Sequence, residues 1–180
     1  YPDGLERQIQ NSLCRVENIM DQKFGDLDNP LLVSIRSGAR QSMPGMMETV
    51  LNVGLTKETI PGLIEKSSDE RFVFDAYRRL ITMYADVVME KATDIEPAGD
   101  EGIRKKLEKI MEEMKGHYGV DNDAELSAEN LKDLCDMYKT TIKETLKCEF
   151  PDDVNIQLWG GIAAVFKSWN GKRAVSYRNI

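Results

Sequence analysis

A mostly α-helical α+β chain with one small antiparallel β element is the fold class this sequence predicts. Apolar residues alternate with a period of two over Leu31–Ile35 and Glu48–Val53, as half-buried strands do. From near Thr56 onward the period changes to about 3.6, the signature of amphipathic helices. Short turn-forming clusters separate the helical stretches, with no internal repeat at a fixed period and no low-complexity segment.

Leu5, Ile9, Leu13, Val16 and Met20 fall at three- and four-residue steps and predict a helix over Leu5–Asp21, stopped by the loop Gly25–Pro30. After the strands, Pro61 in a first-turn position opens a short helix over Thr59–Glu65. Ser68 or Asp69 caps the next, which runs to about Ala92 with Phe72, Tyr77, Leu80, Ile81, Tyr84, Val87 and Val88 inward. Asp94–Asp100, holding Pro97 and Gly99, reads as a loop. Gly102–Lys115 is a charged helix with Ile103, Leu107, Ile110, Met111 and Met114 on one side. Ser127 caps another that turns Leu131, Leu134, Met137, Tyr138, Ile142 and Leu146 inward. Asp152 or Asp153 caps a long helix to about Trp169, and a last one starts near Lys172. The helices between about Pro61 and Lys147 are expected to form an up-and-down bundle.

The chain has 180 residues, enough for one domain with a core or one lobe with an insertion. Its net charge is −7 and no basic block is long enough to track a nucleic-acid backbone, which argues against a nucleic-acid partner. No stretch approaches membrane-span length, and the opening residues show no charged-then-apolar segment of the signal-peptide kind. The chain starts on Tyr1 and Ile180 falls in an expected helix, so it is expected to be a piece of a longer polypeptide. Cys14, Cys135 and Cys148 are widely spaced without a Cys-x-x-Cys pair, which fits free thiols in a reducing cytoplasm. His117, the only histidine, sits at a helix stop where it can face C-terminal carbonyls.

The first strand delivers Arg36 into a loop of Ser37, Gly38, Ser42, Pro44 and Gly45. Small residues let backbone N–H groups approach an anion, and a guanidinium adds a planar fork suited to phosphate. An ordinary structural hairpin with a surface arginine has the same spacing, so both readings stand. Met43, Met46 and Met47 flank the loop and are expected to anchor it on the interior. Trp159, Ile162, Ala163, Phe166 and Trp169 share one helical face, read as core packing with an adenine-stacking platform as the alternative. Asp121–Glu125 begins like a calcium loop, but Leu126 and Lys132 stand where glycine and glutamate are needed, so a helix-capping turn is expected. The mixed charges from Arg104 to Lys115 read as a solvated helix face.

Two stretches carry a family resemblance. Arg36-Ser37-Gly38-Ala39-Arg40 followed by Ser42-Met43-Pro44-Gly45-Met46-Met47 resembles the nucleotide-binding domain of pyruvate, phosphate dikinases. Phe150-Pro151 leading into Gln157-Leu158, then Ala164-Val165-Phe166-Lys167-Ser168-Trp169, Arg173-Ala174 and Tyr177-Arg178 resemble a second segment of the same family, in the same order. Lys167 replaces a more usual arginine, and Gly160-Gly161 interrupts a helix that the family keeps bulkier. The resemblance implies part of an ATP-grasp lobe: 1–60 a lobe segment with the phosphate loop, 61–147 an inserted helical bundle, and 148–180 the return helices.

It also implies ATP as ligand, with Arg36, Gly45 and Thr49 at its phosphates. The parent enzyme would pass a phosphoryl group to a histidine on a swivelling domain and on to pyruvate. Mg2+ ligands, the phosphohistidine domain and the pyruvate-binding barrel would lie outside this stretch, leaving it without catalytic or metal residues and inactive alone. A cytoplasmic, homo-oligomeric parent is expected. The alternatives are a water dikinase of the phosphoenolpyruvate synthase type, which has a longer acidic loop before its glycine, and a non-catalytic helical interaction module.

Overall fold

The computed structural model describes residues 1–38, 47–91 and 102–178. The first helix, α1 (Leu5–Met20), ends where Asp21 turns left-handed at φ 52°. It rests on the core only through the half-buried Ile9 and Leu13, while Val16, Ile19 and Met20 are exposed. In the loop after it, Asp26 Oδ1 accepts the N–H groups of Asp28 (2.9 Å) and Asn29 (2.8 Å), an Asx turn that closes the reversal locally.

Strands β1 (Val33–Arg36) and β2 (Thr49–Val53) pair antiparallel. Both lie within a residue or two of the expected spans, and Arg36 is the last residue of its strand rather than the first of a loop. Val33 faces Val53, Ile35 faces Val50 and Arg36 faces Thr49, so two steps on β1 span three on β2. The extra residue makes a bulge in which Asn52 adopts φ 58°, a left-handed conformation that asparagine tolerates. The side chain of Asn52 donates to the carbonyl of Ala76, 3.4 Å away, and ties the bulge to the helix beneath.

That helix is the hub. After α2 (Ile60–Ser67), with Pro61 in its first turn, α3 (Glu70–Tyr84) starts from Asp69, whose carboxylate accepts the Phe72 N–H at 2.9 Å. The expected helix to Ala92 persists to Glu90, but Ala85–Glu90 widen into a π-helical turn whose residues are all buried. Next come α4 (Ile103–Tyr118), closed by left-handed Gly119, and α5 (Ala128–Leu146), whose cap Ser127 exchanges hydrogen bonds with Asn130. Two inward assignments fail: Phe72 is 60% exposed and Met137 45%. Val73, Phe74 and Tyr77 take the buried face of α3, and Leu134, Cys135 and Tyr138 that of α5. Each exception stands one helical step outside that face.

The chain returns through α6 (Val154–Trp169), capped by Asp153 rather than Asp152, and α7 (Lys172–Arg178). Gly160 and Gly161 do not interrupt α6, which runs through both. Val50, Val53 and Leu55 of the strand region join Leu80, Ile81 and Tyr84 of α3, Ile103 and Leu107 of α4, and Leu131, Leu134 and Ile142 of α5 in one hydrophobic cluster. The β2 face is therefore held by the helices, not by a second sheet. A two-stranded ribbon is marginal in water and needs such support.

The loop expected over Asp94–Asp100 lies outside the described residues. Asp121–Glu125 forms a turn, as expected: Glu125 Oε2 accepts the N–H groups of Asp121 (3.0 Å) and Asn122 (3.3 Å). Asp123 is engaged by Arg78 at 2.8 Å and Lys115 at 3.4 Å, which docks the turn on the bundle end.

Candidate functional site

Strand pairing brings Arg36 and Thr49 directly opposite each other at the loop end of the hairpin. Arg36 is exposed and Thr49 half-buried. Among the described residues no carboxylate is paired with Arg36, whereas Arg78, Arg79 and Arg104 each hold one. Gly45 lies outside the described residues, as do Arg40, Met43 and Met46. Met47 is described and borders a cavity of about 330 Å3 that opens beside Arg36. Ser37, Gly38, Val165, Phe166 and Trp169 complete its lining.

The helix wall of this cavity is placed by contacts that ordinary side chains would forbid. A Cβ on Gly161 would stand 2.6 Å from Ile35 Cδ1, and one on Gly160 would run into the Tyr84 hydroxyl. The two glycines thus let α6 lie directly against β1 and α3. Gln157, fully buried, clamps the other end. Its Oε1 accepts the Gly54 N–H at 3.0 Å, while Nε2 donates to the carbonyls of Leu55 and Pro151, each at 2.9 Å. Near the C-terminus of α6, Ser168 Oγ accepts the Glu48 N–H at 3.3 Å, beside Thr49. Gln157 and Ser168 were not legible as positioning residues, because neither their spacing nor their type marks a partner over a hundred positions away.

Charge around the site is balanced on one flank and open on the other. Lys91 Nζ reaches Glu48 at 3.2 Å and Asp86 at 3.3 Å, and Arg104 adds a 3.5 Å contact to Asp86. Burial alone would lower the pKa of Lys91, but the two carboxylates raise it and keep the ammonium charged. Asp152 joins the segment after β2 to the bundle. It accepts from the Lys57 N–H (3.1 Å), the Tyr77 hydroxyl (2.9 Å) and Lys139 (3.1 Å). Burial would raise its pKa; these three donors outweigh that and hold it below the usual carboxylate range. Tyr77 is raised, first by burial and then by the Asp152 charge.

The aromatic face of α6 departs from the core reading. Ile162 is buried and Trp159 packs against the core, but Phe166 is 45% and Trp169 40% exposed, at the cavity beside Arg36. The buried ridge of Leu158 and Ile162 passes beyond the end of the hairpin before it reaches them. His117 is exposed in the last turn of α4, where its ring meets Tyr118 edge-on. Among the described residues no group of three or more His, Cys, Asp and Glu could hold a metal ion, and no helix is long and apolar enough to cross a membrane.

A family model described as pyruvate phosphate dikinase, AMP/ATP-binding domain, matches residues 2–180. The pyruvate, phosphate dikinase of Rhizobium meliloti is 43% identical over 99% of this chain and 19% of its own length. That of Clostridium symbiosum is 42% identical over 98% of this chain and 19% of its own. The chloroplastic pyruvate, phosphate dikinase 1 of Arabidopsis thaliana is 44% identical over 99% and 17%. The chain thus spans about a fifth of the length of these curated relatives. A family-model match over residues 2–180, together with relatives 42–44% identical across nearly all of the chain, makes this chain a member of the pyruvate phosphate dikinase AMP/ATP-binding domain family.

Proposed function

We propose that this chain supplies the phosphate-gripping part of an ATP-grasp lobe in a pyruvate, phosphate dikinase. The parent would interconvert ATP, phosphate and pyruvate with AMP, diphosphate and phosphoenolpyruvate through a phosphohistidine. The observation that carries this is the exposed Arg36 guanidinium, without a carboxylate partner among the described residues, delivered opposite Thr49 at the loop end of the hairpin. Residues 61–147 are the bundle inserted into the lobe and 148–180 its return helices.

Phosphoryl transfer asks for positioning and for neutralisation of oxygen charge rather than covalent chemistry. Arg36 supplies the charge in a planar fork that can span two phosphate oxygens. Gly45 supplies an N–H without a side chain in the way, and the Thr49 hydroxyl a further donor. The family resemblance puts the Mg2+ ligands in other parts of the parent, so no step is routed through the metal here. The phosphohistidine domain of the same polypeptide is the acceptor, in a cytoplasmic homo-oligomer.

Arg36→Ala in the full-length enzyme tests the reading. Loss of a charge-assisted contact to a developing oxyanion costs about 3–4 kcal/mol, a factor of several hundred in rate. Histidine phosphorylation by ATP should fall that far while phosphorylation by phosphoenolpyruvate persists. Equal loss from both donors means misfolding, and no loss from either removes Arg36 from the site.

A further inference from the structure

The π-helical turn Ala85–Glu90, which continues α3, holds two buried carboxylates, Asp86 and Glu90. Such turns are rare and frequently sit at functional sites. Here the widening has a visible consequence. The Lys91 N–H donates to the Asp86 carbonyl five residues back, and the Lys91 ammonium lies 3.3 Å from the carboxylate of the same residue. On an α-helix, side chains meet at three- and four-residue spacing, not at five. The π-turn therefore creates the pair of Asp86 and Lys91.

That pair reaches the hairpin. Lys91 Nζ also lies 3.2 Å from the Glu48 carboxylate, and Arg104 of α4 comes within 3.5 Å of Asp86. Glu90 accepts the Ile103 N–H at 2.8 Å, which fixes the π-turn to the start of α4. Glu48 immediately precedes Thr49, and its own N–H donates to Ser168 Oγ at 3.3 Å. Glu48 is thus gripped twice, its main chain by α6 and its side chain by the π-turn, where β2 begins opposite Arg36. Between two carboxylates, one of them buried, the Lys91 ammonium is already neutralised, which suits a tether rather than a phosphate ligand.

We propose that Lys91 is a positioning residue for the phosphate site: the π-turn sets it on Asp86 so that it holds Glu48, and with Glu48 the placing of the Thr49 hydroxyl. The inference rests on Thr49 acting as a donor to the nucleotide phosphates. Phosphoryl transfer is governed by such placing, and a small displacement caused far from the reacting atoms costs a large factor in rate. By this route the bundle acts on the hairpin without Lys91 touching the nucleotide.

The test is the rate of histidine phosphorylation in the full-length enzyme, from ATP and, separately, from phosphoenolpyruvate. Lys91→Met should lower the ATP-driven rate by about three- to tenfold, leave the phosphoenolpyruvate-driven rate unchanged and keep a urea midpoint near that of wild type. Lys91→Arg should restore most of the loss. Glu48→Gln should repeat it, and the double variant should be no worse than either single one, because both break the same link. An unchanged ATP-driven rate in Lys91→Met, equal loss from both donors, or additive losses in the double variant would each overturn the tether. Loss in Lys91→Met with a gain in Glu48→Gln would overturn it too, and would make Lys91 a direct phosphate ligand. Thr49→Val keeps the two readings apart. Loss there with none in Lys91→Met sinks the tether alone, whereas no loss in Thr49→Val removes Thr49 from the phosphates and the purpose of the tether with it.

Discussion

Gly161 of α6 and Ile35 of β1 are in such close register that a Cβ on the glycine would stand 2.6 Å from Ile35 Cδ1. Ile35 immediately precedes Arg36, so this contact sets how near the aromatic end of α6 comes to the strand that carries the guanidinium. Gly160 does the same against the bundle, where its absent side chain leaves room for the Tyr84 hydroxyl to reach the Ile156 carbonyl at 3.1 Å. The pair works as a thin place in the helix through which both neighbours approach.

Gly160→Ala should cost more than Gly161→Ala. Tyr84 is a buried ring held by a hydrogen bond, whereas Ile35 meets Gly161 with a flexible end. Overpacking plus a lost hydrogen bond predicts about 2–4 kcal/mol for Gly160→Ala. For Gly161→Ala, about 1 kcal/mol of regained helix propensity offsets much of the strain. Urea midpoints of the two variants check the order.

Asp152→Asn should destabilise the fold by about 1–3 kcal/mol at neutral pH, because three donors lose their charged acceptor. The pKa of Asp152 is lowered on folding, so its contribution is complete above the unfolded value of about 3.9 and fades as pH falls through the lower folded value. The gap between wild type and variant should be constant from about pH 5 upward and close in stronger acid, as read from unfolding free energies.

Thiol reactivity should split two to one. Cys14 and Cys148 are exposed, while Cys135 is buried and its thiol, 3.8 Å from the Phe74 carbonyl, is pushed up to about 12 by burial. A thiol-specific chromogenic disulfide should titrate Cys14 and Cys148 in the native protein at pH 8, and Cys135 only after denaturation. Fast reaction of all three would contradict the packing of α5 on α3.

Arg36→Lys in the full-length enzyme should behave closer to Arg36→Ala than to wild type in phosphorylation by ATP. A point charge cannot span two oxygens as the planar fork does. Arg40→Ala is the control: its expected role is to hold the loop rather than the phosphates, so its loss should be smaller.

The isolated chain should bind ATP at about millimolar strength or more weakly, since an exposed Arg36 pairs with phosphate under full solvent screening. It should neither hydrolyse ATP nor form phosphoenolpyruvate. Micromolar binding in calorimetry would mean that the nucleotide site is complete within these 180 residues.

The sequence by itself determined the element types, the cap at Ser127 and, to within one residue, those at Asp69 and Asp153, and the hairpin that presents Arg36, because these depend on periodicity and on partners within a few residues. Its motifs also carried the family, since the stretch from Arg36 to Met47 and the segment from Phe150 to Arg178 mark it by type and order. Only the tertiary structure decided that Phe166 and Trp169 border the Arg36 cavity instead of the core, that Gly160 and Gly161 are points of contact rather than a break, and that Gln157 clamps the exit of β2. Periodicity assigns a residue to a face of its helix. Whether that face is covered depends on where the neighbouring elements end, and a side chain's partner a hundred positions away leaves no mark in local spacing.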